Sequence, residues 1–265
     1  MDGVDTGPMV AEVIRQGMQV IEIECSLGYN VNFYELVGIS GNFLDRRWPS
    51  LHVVGYGDID FVRQMQRTPF IPGAWCTFDN MKCSTYYAYL GEYLLNKDYV
   101  MMPAGDLLRR WDALIDRDVN RSLFLRPDSG AKPFTGYVIE PEGRDKIQTL
   151  VETVGPDMLV VVARKKQITA EWRFVICDRK VVTGCQYLPN EDKWFHPESF
   201  RLAHKIASKE WQPDLCYTVD IAESEGKMYL LEINSFGCAG LYVCDMESVI
   251  RRVSVAATKE WREYV

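Results

Sequence analysis

Apolar positions along the chain change period several times, and each change marks an element. Residues 9–24, MVAEVIRQGMQVIEIE, open with helical spacing and end in the alternation of a strand. LHVVGYG (51–57) predicts a strand and IDFVRQMQR (59–67) a helix. TPFIPGAW (68–75) reads as a Pro/Gly-rich connection, and CSTYYAYLGEYLLN (83–96) as a helix with aromatic residues on several sides. Strands alternating with helices predict a small α/β lobe. NKDYVMMPAGD then reads as a short loop before the helix DLLRRWDALID, which places a domain boundary near residue 100 and gives lobes 1–100 and 101–265.

Beyond that point the order changes. SLFLRP (122–127) predicts a strand, DSGAKPFTG (128–136) a loop, YVI a short strand and EGRDKIQTLVETV (142–154) a helix. DMLVVVARKK (157–166) and AEWRFVICDRKVVTGCQYL (170–188) hold three strands, the last two joined by a tight turn at CDRK. PESFRLAHKIASKEW (197–211) reads as a helix with Pro at its start. CYTVDIAESEGKMYLLEINSF is a hairpin turning at ESEGK, and DMESVIRRVSVAATKEWREY an amphipathic closing helix. The fold class expected is α+β.

Composition narrows the function classes. The chain has 265 residues, 47% of them hydrophobic, enough for two lobes with ordinary cores. Its net charge is −7 and no dense Lys/Arg run appears, so neither nucleic acid nor an anionic membrane is an expected partner. Eight cysteines lie scattered without a CxxC pair, several in apolar runs, as in a reducing compartment. The acidic start MDGVDTGPMV lacks the pattern of a secretory signal, and no run reaches the roughly 20 apolar residues of a membrane span. A cytoplasmic protein is expected.

Three constellations carry candidate chemistry. In KMYLLEINSF, Glu232 and Asn234 are two apart on a strand and therefore share a face. With Asp220 on the facing strand they form a set of hard oxygen ligands suited to magnesium, a solvated strand end being the alternative. In FLRPDSGAKPFTG, a strand delivers Arg126 into a loop with Lys132 and small residues whose backbone N–H groups can approach phosphate. It lacks the GxxxxGK[ST] spacing of a P-loop and could equally be a turn with a solvated lysine. In ITAEWRFVI, Glu171 and Arg173 share one face of a strand and Trp172 takes the other; they are either solvent-facing charges or a hydroxyl acceptor and an anion clamp.

The order of these pieces is similar to the ATP-grasp fold, in which nucleotide lies between two α+β subdomains. The resemblance covers residues 100–245, and its most specific part is DIAES…LLEINSF. FLRPDSGAKPFTG and EWRFVI resemble the branch of that superfamily named for two arginines and a lysine, often encoded by phages and bacteria. A phage-encoded member would work in the host cytoplasm. The resemblance implies that Arg126 stands where most members have a phosphate-binding lysine and that Lys132 adds a second cation. It places Val161, Val162, Ala163 and Arg164 at the backbone hinge beside adenine and Glu171 on the ribose. Asp220, Glu232 and Asn234 match the magnesium ligands, and Arg173 faces phosphate or substrate. An arginine at position 126 departs from the common lysine pattern, which leaves phosphate binding intact but alters the geometry of transfer.

The implied cofactors are ATP and magnesium. The implied activity is an ADP-forming carboxylate–amine ligase acting through an acylphosphate, with an amino acid, peptide or protein as acceptor. A phosphotransferase with a hydroxyl acceptor and a non-catalytic nucleotide-binding protein are the alternatives. The three histidines add little: His52 opens an apolar strand, His196 stands at a helix start and His204 within that helix. Cys238 has no base beside it. Phe236 and Tyr242 are read as core residues, with pocket lining as the alternative.

Overall fold

The computed structural model describes residues 6–22, 53–65, 73–118 and 120–264. His52, Cys25, residues 23–24 of the expected strand and most of the 68–75 connection lie outside these residues. Contacts divide the chain into two compact units. The first comprises Met1–Thr77, Glu171–Ile221 and Glu232–Val265, the second Phe78–Ala170 and Ala222–Leu231. Residues 78–100, grouped by sequence pattern with the N-terminal lobe, therefore pack with residues 101–170 instead.

Among the described residues of the N-terminal part of the first unit are two helices, α1 (Gly7–Arg15) and α2 (Ile59–Met65). Met18–Glu22 and Val53–Tyr56 form no strand, although sequence alternation suggested two. Single backbone bonds hold the second stretch instead, Gly55 N–H to the Gly73 carbonyl and Gly57 N–H to the Gly237 carbonyl.

The second unit begins with α3 (Cys83–Leu90), shorter than the 83–96 pattern because a 3-10 turn at Gly91–Tyr93 ends it. Val100–Pro103 is a strand, β1, rather than the expected loop. Then come α4 (Ala104–Ile115), β2 (Leu123–Pro127), β3 (Tyr137–Ile139), α5 (Arg144–Val154) and β4 (Leu159–Arg164). The sheet order is β1-β4-β2-β3. Alternation sorts its faces: Leu123, Leu125, Val160 and Val162 join Leu107, Trp111, Ile147 and Leu150 of α4 and α5 in one core. Arg126, one residue on from Leu125, must point the other way.

β5 (Ala170–Cys177), β6 (Lys180–Leu188), α6 (Pro197–Ala207), β7 (Cys216–Ser224), β8 (Lys227–Ser235) and α7 (Met246–Tyr264) follow. The first unit takes them except Ala170 and Ala222–Leu231, which count with the second. Sheet order is β6-β5-β7-β8. The β5–β6 turn has Asp178 and Arg179 at φ 49° and 60°, and the β7–β8 turn has Glu225 and Gly226 at 52° and 68°. Two positive φ values in succession match the right-handed twist of a hairpin. His196 caps α6, its Nδ1 accepting from Glu198 N–H at 3.2 Å. The helix stops at Ala207, four residues short of its sequence pattern. On one sheet face Val175, Cys177 and Cys216 pack with Val249, Ile250, Val253 and Ala257 of α7, and Met9 of α1 joins them. All seven described cysteines are free thiols. Among the described residues no helix is long and apolar enough to cross a membrane.

Candidate functional site

In the first unit the sequence-marked residues of β5, β7 and β8 gather on one sheet face. Arg173 donates from Nε and Nη2 to the two oxygens of Asp220 at 2.7 and 2.6 Å, and from Nη1 to the Gly240 carbonyl at 2.6 Å. Both partners are buried, Arg173 at 7% exposure and Asp220 at 1%. Burial alone pulls the guanidinium down, but the Asp220 carboxylate more than offsets this and holds the Arg173 pKa well above its ordinary value. The alternate charges of β5 are therefore not solvent-facing, and Arg173 spends three donors on its own unit. Asp220 lies in the middle of β7.

Asn234 ties the set together. Its Nδ2 donates to Asp220 Oδ2 at 3.2 Å and to Glu232 Oε1 at 3.1 Å. Its Oδ1 is buried without a hydrogen-bond partner. An orphaned amide oxygen costs on the order of 1–3 kcal/mol unless something occupies it. No three His, Cys, Asp or Glu side chains gather into a metal-holding group among the described residues. Asn234 presents its NH2 group to the two carboxylates, so an ion here would need the amide turned over to bring Oδ1 beside them, which would make a hard-oxygen set that fits magnesium.

Glu171 is half-buried at the start of β5 and accepts a hydrogen bond from Tyr187 Oη. Burial raises its pKa; the Tyr187 bond opposes that, and the charges of Asp220 and Glu232 add to it. The Tyr187 ring stacks on Tyr242 with centroids 4.7 Å apart and planes 8° from parallel. The Arg173 guanidinium carbon is 5.6 Å from one ring centroid and 5.0 Å from the other. Tyr242 is 41% exposed and has φ +49°, so it is not the core residue expected. Phe236 is core, edge-on to Trp75. No local sequence signal marks Tyr187, whose position depends on strand register.

In the second unit Arg126 is 6% exposed and donates from Nη1 to Tyr86 Oη at 3.3 Å and to the Leu231 carbonyl at 3.4 Å. The loop after it is tightly built. Asp128 Oδ1 accepts from Ser84 N–H at 2.8 Å near the start of α3, and Ser129 Oγ accepts from Ala131 N–H at 3.2 Å. A Cβ on Gly130 would lie 2.5 Å from the Phe78 carbonyl oxygen, so only glycine fits there. Lys132 is half-buried and held at φ +45°, where a non-glycine residue is strained. Of the four residues that the resemblance sets at a backbone hinge, Val161 and Val162 have strand partners on both sides, whereas Ala163 and Arg164 pair on one side only, with β2.

The family model of the ATP-grasp domain, family 2 of the clade named for two arginines and a lysine, matches residues 107–252, more than half of the chain. No curated protein sequence matches significantly. Among solved structures, the D-cycloserine synthetase DcsG is similar with a TM-score of 0.60 at 12% identity, over 97% of this chain and 94% of that one. The D-alanine–D-alanine ligase of Coxiella burnetii has a TM-score of 0.52 at 14% identity, over 74% of this chain and 60% of its own. At these identities the likeness establishes a shared fold.

Proposed function

This chain belongs to the ATP-grasp superfamily, in its two-arginine, one-lysine clade, and from that premise we propose an ATP- and magnesium-dependent, ADP-forming carboxylate–amine ligase. In this reading a substrate carboxylate attacks the γ-phosphorus of ATP, the bond to the ADP oxygen breaks, and the acylphosphate formed is captured by an amine as phosphate leaves. Arg126 and Lys132 bind and orient phosphate oxygens, supplying fixed positive charge where negative charge builds. Glu171 accepts from the ribose hydroxyls, and backbone groups of Ala163 and Arg164 meet the adenine edge. Asp220, Glu232 and Asn234 would hold magnesium, which when bound neutralises phosphate charge.

Arg173 takes a different role from the one its sequence position suggested. Its guanidinium is held by Asp220 and the Gly240 carbonyl, which supports a positioning role in which it fixes Asp220. The observation that carries the reading is the Asn234 side chain, whose amide joins two carboxylates while its buried oxygen lacks a partner. Proteins sharing this fold include a D-cycloserine synthetase and a D-alanine–D-alanine ligase. Those relatives direct the acceptor search to amino acids, with peptides and proteins beside them.

The test is ADP release from magnesium-ATP across D- and L-amino acids, peptides and protein acceptors, with products identified by mass. An amide product formed with one ADP per bond supports the ligase. A stable phosphorylated hydroxyl product would make the protein a phosphotransferase, and nucleotide binding without turnover across the panel would make it a binding protein.

A further inference from the structure

The pairing of β5 with β6 contains an irregularity beside the candidate site. Glu171 lies opposite Leu188 and Trp172 opposite Gln186, so Tyr187 is an extra residue on β6. Below the irregularity, Arg173 opposes Cys185. A bulge of this kind re-aims a side chain. Here it sets Tyr187 on the face of Glu171 and Arg173, as its hydrogen bond to Glu171 and its ring beside Arg173 show.

Two further features immobilise that ring. Tyr242 stacks on it almost in parallel, and does so from a backbone conformation that a bulky residue adopts only under constraint. The Arg173 guanidinium, fixed by Asp220 and Gly240, lies against both rings. A glutamate has three rotatable side-chain bonds, and a diol needs its carboxylate in one orientation. A hydroxyl anchored on one oxygen removes that freedom and leaves the other oxygen and further lone pairs open.

We propose that Tyr187, projected by the β6 bulge and clamped by Tyr242, is the positioning residue that aims Glu171 at the nucleotide ribose. The inference rests on the nucleotide-binding reading of this site and adds a residue that selects ribonucleotides over deoxy analogues.

The experiment measures Kd by calorimetry for magnesium-ADP and magnesium-2′,3′-dideoxy-ADP in the wild type, Tyr187→Phe, Glu171→Gln and the double variant. Wild type should prefer ADP by about tenfold or more, the scale of a hydrogen bond to a charged group. In Tyr187→Phe the preference should fall to about threefold or less, through weaker ADP binding alone, with dideoxy-ADP bound as in wild type. Added to Glu171→Gln, the tyrosine change should alter nothing further. If Tyr187→Phe does not fold, Tyr242→Leu, which removes the stack, should show the same loss of preference. A wild-type preference retained in Tyr187→Phe, or equal weakening of both nucleotides, overturns the positioning role. No preference in wild type removes the ribose from Glu171 and the inference with it, and absence of any ADP binding overturns the nucleotide reading itself.

Discussion

Arg173 and Asp220 form a two-pronged ion pair, Nε to Oδ1 at 2.7 Å and Nη2 to Oδ2 at 2.6 Å, across the middle of the first unit's sheet. Removing one partner leaves the other charge buried, which typically costs about 3–5 kcal/mol, whereas replacing both by apolar residues of similar size is far less costly. Arg173→Met and Asp220→Leu should each lower the unfolding free energy in urea on that scale, and the double variant should lose clearly less than their sum. Additive losses would mean that the pair is not coupled in solution.

Lys132 offers a separation of stability from binding. Glycine at this position relieves the positive φ and removes the cation. Lys132→Gly should keep or slightly raise the melting temperature while weakening magnesium-ATP binding by about ten- to a hundredfold, the value of one charge-assisted phosphate contact. Unchanged affinity would return the lysine to the role of a turn residue.

Asp214 gives the fold a pH dependence of definite sign. Burial raises its pKa from 3.8 to about 6, although Thr77 N–H, Thr77 Oγ1 and Leu215 N–H all donate to it. A carboxyl group whose folded pKa lies above the unfolded one favours the folded state fully below pH 3.8, and that contribution is lost as pH rises through about 6. The unfolding free energy of wild type minus that of Asp214→Asn should therefore fall by up to about 3 kcal/mol between pH 4 and 7. Urea titrations at half-unit pH steps measure it, and a difference that stays flat or rises contradicts the assignment.

Most of the elements are legible in the sequence, because period and turn chemistry agree in them. The CDRK and ESEGK turns, the Leu123/Leu125 alternation and the apolar stripe of α7 are local signals of this kind. Val100–Pro103 escapes because a four-residue strand ending in proline carries too little alternation to outweigh its loop-like flanks. Val53–Tyr56 has the composition of a strand but finds no ladder, which no local pattern reveals. At the site, residue type and spacing expose Asp220, Glu232 and Asn234 as one candidate set and Glu171 with Arg173 as another, and the resemblance to the ATP-grasp fold joins the two. What each touches depends on tertiary geometry: the Arg173–Asp220 pair, the bulge that brings Tyr187 to Glu171, and the strained Tyr242 all arise from how strands align.

The magnesium-nucleotide reading meets its most direct test in the Glu232 carboxylate. Glu232→Gln keeps the shape and the Asn234 contact region while removing one ligand charge, and at a site of no special role it should shift stability by only about 0.5 kcal/mol or less. The measurement is calorimetric titration of ADP into wild type and Glu232→Gln, each with and without magnesium. The expected result is that magnesium tightens ADP binding by about tenfold or more in wild type and has little effect in a Glu232→Gln protein that remains fully folded. The same magnesium enhancement in both proteins would contradict the account.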